Sequence, residues 1–485
     1  MGFVPFMLFL LSLVNGEEEY NLYGEAGQAY SIETYLGNPK QKLYLIVDTG
    51  STTMAIAAFS GQTNDTYYNK SNSSTFLDSS KEVEAKYSQG MWVGRLVSDE
   101  ISFPSLPNVP GVRSDFAAII TSHKFFMNGS GWQGLLGLAY PPIAAWGNDV
   151  AVGSWLQSVD CCVSNAVSFE LKLCGPVSDT NSTHFGKFSV FVNNTENTTN
   201  PEFRTPILHK RWYEIGVLSV NVFYVHLSYN DSENDVPKAK PLSCIAYNPP
   251  QTDVCVKLNA EKSIVDSGTT NIRLPDEIFK KVVDTIRRES EVCKVLILDD
   301  FWYHGAAACW PEPQEWDLPW IGIDLLNAQS DNSYFVLQIP PQNYMRIVSA
   351  HNNSGAVSEY CYKLGLEAGG KDTVLGYTAM EGLQVTFNRS ADWIGFSTSN
   401  CGPPSQLSGP FYVSYSLVRD CDLIKPHVDA SIQAAQWGLL TVSLIAAGII
   451  LYVLAPCLRY TFFNPSRVAS RFSISRNALF DQEYT

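Results

Sequence analysis

The sequence predicts a mainly β protein of two similar lobes, followed by one membrane-spanning helix near its C-terminus. Three observations carry that expectation. The phrase Ile46-Val47-Asp48-Thr49-Gly50-Ser51-Thr52 returns as Ile264-Val265-Asp266-Ser267-Gly268-Thr269-Thr270. Strand-like runs punctuated by turn residues fill much of the chain. An uncharged apolar stretch lies near the end. In each copy of the phrase a β-branched pair leads into aspartate, a hydroxyl residue and glycine. That pattern describes a buried strand ending in a tight turn, with the carboxylate where the strand stops. One Asp-[Ser/Thr]-Gly alone is commonly an Asx turn. Two extended copies, one in each half, point instead to two lobes that bring Asp48 and Asp266 together.

Composition narrows the function classes. At 485 residues the chain exceeds what one core organises, so two folding units plus extras are expected. Its 45% hydrophobic and 17% charged residues are those of a globular protein. A formal net charge of −15 argues against nucleic acid as a partner, because phosphate binding needs a basic surface. The sequence carries no phosphate-cradling glycine loop and no HExxH or paired CxxC pattern, so no cofactor and no metal is expected.

Taken in order, residues 1–16 read as a signal peptide, an apolar run from Phe3 to Val14 with slender residues before Gly16. The first strand is expected near Tyr30. Tyr30 to Leu36, a turn at Gly37-Asn38-Pro39 and Leu43 to Val47 form a hairpin leading into Asp48. Only about a dozen residues separate Gly16 from Tyr30, too few at ~3.3 Å each to cross a long cleft and return. An N-terminal segment that blocks a cleft is therefore not expected, unless this sequence lacks part of its N-terminus. Residues 60–80, rich in Ser, Asn and Thr, read as an exposed loop. Glu84 to Leu96 is a hairpin interrupted at Ser88-Gln89-Gly90, with Tyr87 and Trp92 flanking a mobile tip. Phe116 to Ile120 is a buried strand, and Gly134 to Tyr140 is an apolar run with permissive glycines. In the second half Asp276 to Arg287 has a helical apolar period, and Thr373 to Gly376 echoes the first half's glycine-centred run. Trp393 to Phe396 is the final strand. These readings place the first lobe, with its hairpin, at 17–209, the second at 210–405 and a stalk at 406–436, with Cys421 tying part of the stalk down.

Gly438 to Leu458 carries no charged residue and as a helix spans roughly 31 Å, the thickness of a bilayer's hydrocarbon. Trp437 and Tyr460 sit at its ends, and Arg459, Arg467, Arg471 and Arg476 follow, which puts the tail in the cytoplasm. The expectation is a transmembrane helix at 437–458 and a cytoplasmic tail at 459–485, a type I topology with the lipid bilayer as one partner. Sequons at Asn64, Asn69, Asn72, Asn128, Asn181, Asn193, Asn197, Asn230, Asn352 and Asn388 fit a glycosylated ectodomain. Of the 11 cysteines only Cys457 lies in the apolar stretch; the others form an even set suited to disulfides.

Two carboxylates forced within hydrogen-bonding distance cannot both be ionised, so they share a proton. Such a site holds an acid and a base at once. The ionised partner can take a proton from a water between them while the other donates to a peptide carbonyl oxygen. Which aspartate starts protonated the sequence leaves open.

The doubled Asp-Thr-Gly and Asp-Ser-Gly, the hairpin with Tyr87, and the runs Gly134-Leu-Leu-Gly137 and Val374-Leu-Gly376 resemble the pepsin-type aspartic proteases. Tyr87-Ser-Gln-Gly-Met-Trp92, Lys124-Phe-Phe-Met-Asn-Gly-Ser130, Gly137-Leu-Ala-Tyr140 and Ser263 to Pro275 are similar to the membrane-anchored beta-secretases within that family. The resemblance, covering roughly Tyr20 to Asp422, implies a bilobal pepsin-like fold and peptide or protein substrates. It implies that Asp48 and Asp266 are catalytic, that Thr49, Gly50, Ser267 and Gly268 build interlocked turns, and that Ser51 and Thr269 support the carboxylates. Tyr87 would lie on a flap over the substrate, with Trp92 hydrogen-bonding its hydroxyl; Thr270, Asn271 and Arg273 would line substrate pockets. Arg273 would favour polar or acidic side chains. The resemblance further implies disulfides Cys174–Cys401, Cys255–Cys421 and Cys309–Cys361, leaving Cys161, Cys162, Cys244 and Cys293 for an extra bridge or two. It also implies residence in the Golgi, endosome or plasma membrane. The competing readings are a protease-shaped binding protein without activity and a lysosomal or digestive protease; oligomeric state and the physiological substrate stay open.

Overall fold

Each aspartate ends a strand whose neighbours are laid out alike. In the first half Gln41–Asp48 is wholly buried from Leu45 to Asp48. It runs parallel to Gly134–Gly137, with Asp48 opposite Gly137, and Ala55–Ala57 pairs antiparallel with that same strand. In the second half Ser263–Asp266 runs parallel to Thr373–Gly376, with Asp266 opposite Gly376, and Ile272–Leu274 pairs antiparallel with it. The chain therefore repeats the arrangement around the aspartate as well as the phrase itself. Glycine is required opposite each aspartate. A Cβ on Gly137 would sit 2.4 Å from the Thr52 carbonyl carbon, and one on Gly376 would sit 2.4 Å from the Asn271 carbonyl oxygen.

The computed structural model describes residues 20–25, 29–58, 66–87, 90–126, 131–144, 146–147, 150–176, 183–192, 200–224, 250–289, 298–311, 316–351, 359–424 and 430–463. Residues 1–16, the sequons Asn64, Asn128, Asn181, Asn193, Asn197, Asn230 and Asn352, Cys244, Cys293 and the tail beyond 463 lie outside them. The fold is mainly β. The first aspartate's strand belongs to a 15-stranded sheet that continues through Ser31–Leu36, Leu22–Glu25, Thr183–Phe191 and Ser168–Pro176 to Leu383–Asn388 and Trp393–Thr398. Those last two strands come from the second half, so the halves share one sheet. Phe169 and Phe387 face each other across that junction, their rings stacked at 4.7 Å and fully buried. Burial of each such side chain contributes about 1.5–3 kcal/mol.

The expected helix is present as Asp276–Glu289, with Asp276 and Glu277 in its first turn and Arg287 and Arg288 in its last, charges that complement the helix dipole. It buries Ile278, Val282, Val283 and Ile286. The disulfides Cys174–Cys401, Cys255–Cys421 and Cys309–Cys361 are formed. Cys161 and Cys162 are exposed free thiols on the helix Trp155–Val163.

Several expectations need correction. The first strand is Leu22–Glu25, earlier than Tyr30. The strand expected at Phe116 to Ile120 runs from Val112 to His123, and Ile120 itself is exposed. Within 60–80, Tyr68 is fully buried, its hydroxyl donating to Asp99 at 2.6 Å, and Leu77–Lys86 is a strand. The stalk does not start at residue 406, nor is Trp393 to Phe396 the last strand. Gln406–Tyr412 pairs antiparallel with Ser333–Ile339, and Leu417, Cys421 and Leu423 are buried. The compact unit extends to Ile424. The remaining described residues form a separate helix, Ala430–Phe463. Its segment Trp437–Ala455 is apolar and, at 19 residues, long enough to cross a membrane.

Candidate active site

The hydroxyl residues of the two phrases lock the turns together. The Thr49 hydroxyl donates to the Val265 carbonyl at 2.9 Å and accepts from the Ser267 N–H at 2.9 Å. Reciprocally, the Ser267 hydroxyl donates to the Val47 carbonyl at 2.7 Å and accepts from the Thr49 N–H at 3.1 Å. Each side chain therefore satisfies a carbonyl and an amide on the opposite turn, which buried backbone requires. The interlock fixes where the carboxylates stand.

Each carboxylate is then held in the same way. Asp48 Oδ1 accepts from the Gly50 N–H at 2.8 Å, and its Oδ2 accepts from the Ser51 hydroxyl. Asp266 Oδ1 accepts from the Gly268 N–H at 2.9 Å, and its Oδ2 from the Thr269 hydroxyl at 2.6 Å. Asp48 is 6% and Asp266 9% exposed. The glycines make room for the facing acids. A Cβ on Gly268 would lie 2.2 Å from Asp48 Oδ1, and one on Gly50 would lie 2.5 Å from the carboxyl carbon of Asp266. Burial first, and the negative charge of Asp266 second, push the Asp48 carboxyl up to about 7, against the lowering donors Ser51 and Gly50.

Both aspartates line a cleft of about 900 Å³. Tyr87, at the end of the strand Leu77–Lys86, lines it from the hairpin; its N–H donates to the Gly90 carbonyl at 2.9 Å. Trp92 is fully buried, and its indole N–H donates to the Tyr87 hydroxyl at 3.2 Å. It braces Tyr87 from behind and is not part of the cleft wall. Phe125, from the expected aromatic phrase, packs on Tyr87 with ring centroids 5.5 Å apart. Burial raises the Tyr87 phenol above its ordinary value, so it stays protonated.

Thr270, Asn271 and Arg273 all line the cleft. Thr270 also anchors its loop, its carbonyl accepting from the Thr378 hydroxyl at 2.7 Å. Arg273 is not a lone cation: its Nε is ion-paired with Glu367, whose other carboxylate oxygen accepts from the Asn271 amide at 2.7 Å. Sequence reasoning missed Glu367 and also Trp212, whose indole N–H donates to the Gly50 carbonyl at 3.0 Å from the cleft wall. No sequence signal marks either, because each reaches the site through long-range packing. Among the described residues no group of three His, Cys, Asp or Glu could hold a metal ion.

Two interlocked aspartate turns facing one cleft beneath a β-hairpin define an aspartic-protease type of site. Residues 29–235 match the family model for eukaryotic aspartyl proteases. The Beta-secretase of Strongylocentrotus purpuratus is 30% identical over 403 residues, which cover 81% of this chain and 70% of that protein. Shorter matches join the chain to Pepsin A of Suncus murinus, 29% identical over 116 residues, and to Pregnancy-associated glycoprotein 2 of Sus scrofa, 27% identical over 124. The first of these covers 23% of this chain and 29% of that protein, the second 24% and 28%. The chain belongs to the eukaryotic aspartyl protease family, and its relatives include a beta-secretase.

Proposed function

We propose that the chain is an active, membrane-anchored aspartic endopeptidase of beta-secretase type. Its body faces the lumen or exterior of the Golgi, endosome or plasma membrane and cuts protein or peptide substrates. The observation that carries this reading is the pair of buried carboxylates, each pinned by one amide and one hydroxyl and each leaving its facing glycine no room for a side chain.

A raised Asp48 beside Asp266 means the pair holds one proton at mildly acidic pH. Water between them gives a proton to the ionised partner and attacks the carbonyl carbon. The protonated partner donates to the carbonyl oxygen, giving a neutral gem-diol. Collapse breaks the C–N bond as a proton passes to the leaving nitrogen, and one acid and one amine leave. Ser51 and Thr269 orient the carboxylates. Tyr87 closes over the peptide as the flap, with Trp92 holding its hydroxyl in place. The apolar helix Trp437–Ala455 supports anchoring, with the tail in the cytoplasm.

Detergent-solubilised full chain incubated with a peptide library at pH 5, read by mass spectrometry, tests the reading. New internal peptide termini are expected, absent when Asp266→Asn replaces the parent. Termini produced equally by both proteins, or by neither, would refute it.

A further inference from the structure

The ion pair in the cleft carries an inference that rests on the proteolytic reading and refines it. Ile272–Leu274 and Leu366–Ala368 run parallel, and Arg273 and Glu367 are direct register partners. The pairing therefore presents both side chains to the cleft next to the strand Thr373–Gly376 that flanks Asp266. Glu367 is fixed from two sides, by Arg273 Nε and by the Asn271 amide. Asn271 Oδ1 in turn sits 3.5 Å from the Arg346 guanidinium, whose other nitrogen donates to the Tyr377 hydroxyl at 2.7 Å. Arg273 and Glu367 remain 20% and 30% exposed, so a bound peptide side chain meets both.

We infer that Glu367 sets the charge preference of this subsite, turning it from one that accepts carboxylates into one that prefers neutral polar side chains. The ion pair engages Arg273 through Nε, so its terminal N–H groups can donate to a ligand oxygen. A substrate amide can accept those N–H groups at no electrostatic cost. A substrate carboxylate taking the same N–H groups stands beside a fixed carboxylate of the same sign. At the effective dielectric of a protein surface, that repulsion offsets part of the attraction of Arg273. On this inference the expectation that Arg273 favours polar or acidic side chains narrows to polar, uncharged ones.

The test uses detergent-solubilised full chain and peptides in which each position in turn carries Asp or Asn. Cleavage is measured on ordinary peptides, and equilibrium binding on matched peptides whose central bond is replaced by a hydroxyethylene group. At one position the parent should favour Asn over Asp. Glu367→Gln should shift the Asp-to-Asn ratio about tenfold toward Asp, in binding and in kcat/KM. Glu367→Asp, which keeps the charge, should retain the parent's preference and separates charge from misfolding. An unchanged ratio in the Gln variant at every position, or no binding of any peptide, overturns the inference. A shifted binding ratio without cleavage by any protein would sustain it while removing the catalytic reading.

Discussion

Asp324 offers a prediction whose size can be worked from the structure. It lies on the central strand Trp320–Leu326, between Val217–Phe223 and Ser333–Ile339, and it is fully buried. Its Oδ2 accepts from the Ser219 hydroxyl at 2.5 Å and lies 3.4 Å from the Asn221 amide, while Oδ1 has no hydrogen-bond partner. Burial outweighs those two donors and pushes the carboxyl from 3.8 up to about 7. A raised folded value means the folded chain holds this proton more tightly than the unfolded chain does. The resulting stability is full below pH 3.8 and is lost as pH rises to about 7. Over that range the loss is on the order of 4 kcal/mol. Asp324→Asn keeps an acceptor for Ser219 and never ionises. Thermal melts of parent and variant from pH 4 to pH 8 should therefore diverge, with the variant gaining several degrees on the parent by pH 8. A difference in Tm that stays constant across the series would refute the reasoning.

Other consequences follow from the site and its supports. Gly268→Ala should cut kcat/KM by about a hundredfold or more, because its methyl group would displace the pinned Asp48 carboxylate, while Tm falls only modestly; peptide cleavage and a melt check both. Trp92→Phe removes the donor to Tyr87 and should lower kcat/KM by about three- to tenfold, with the acid end of the pH profile unmoved. Non-reducing peptide mapping should find Cys174–Cys401, Cys255–Cys421 and Cys309–Cys361, with Cys161 and Cys162 open to alkylation. Cys421→Ser should destabilise the body by about 2–5 kcal/mol, since its bridge closes a 166-residue separation.

What the sequence revealed was local chemistry. The Gly50 amide and Ser51 hydroxyl donate to Asp48, and the Gly268 amide and Thr269 hydroxyl to Asp266, contacts only two or three residues apart that the repeated phrase itself spells out. The hairpin bearing Tyr87 is legible for the same reason, because its paired strands Leu77–Lys86 and Met91–Ser102 lie close together in the chain. Glu367 was not, because its place depends on a parallel pairing across more than ninety residues, and nothing near it in the chain marks that pairing. Trp212 reaches Gly50 over a separation of 162 residues and was equally silent. The stalk begins later than composition suggests because Gln406–Tyr412 is an edge strand with Gly409 and Pro410 in it, residues that sequence patterns read as loop. Its partner Ser333–Ile339 supplies the order that its own composition lacks. Leu22–Glu25 carries no legible signal, since four residues containing a glycine give too short a pattern, and Thr183–Phe191 and Ser31–Leu36 hold it from either side.

The most direct test of the central claim is kcat/KM against pH for the detergent-solubilised full chain, beside Asp48→Asn and Asp266→Asn. With one proton shared by the pair, activity in the parent should peak at mildly acidic pH and decline as pH rises through about 7, where the proton is lost. Each variant should lose about a thousandfold or more across the whole range. A parent profile flat to pH 9, or either variant matching the parent, would contradict the account.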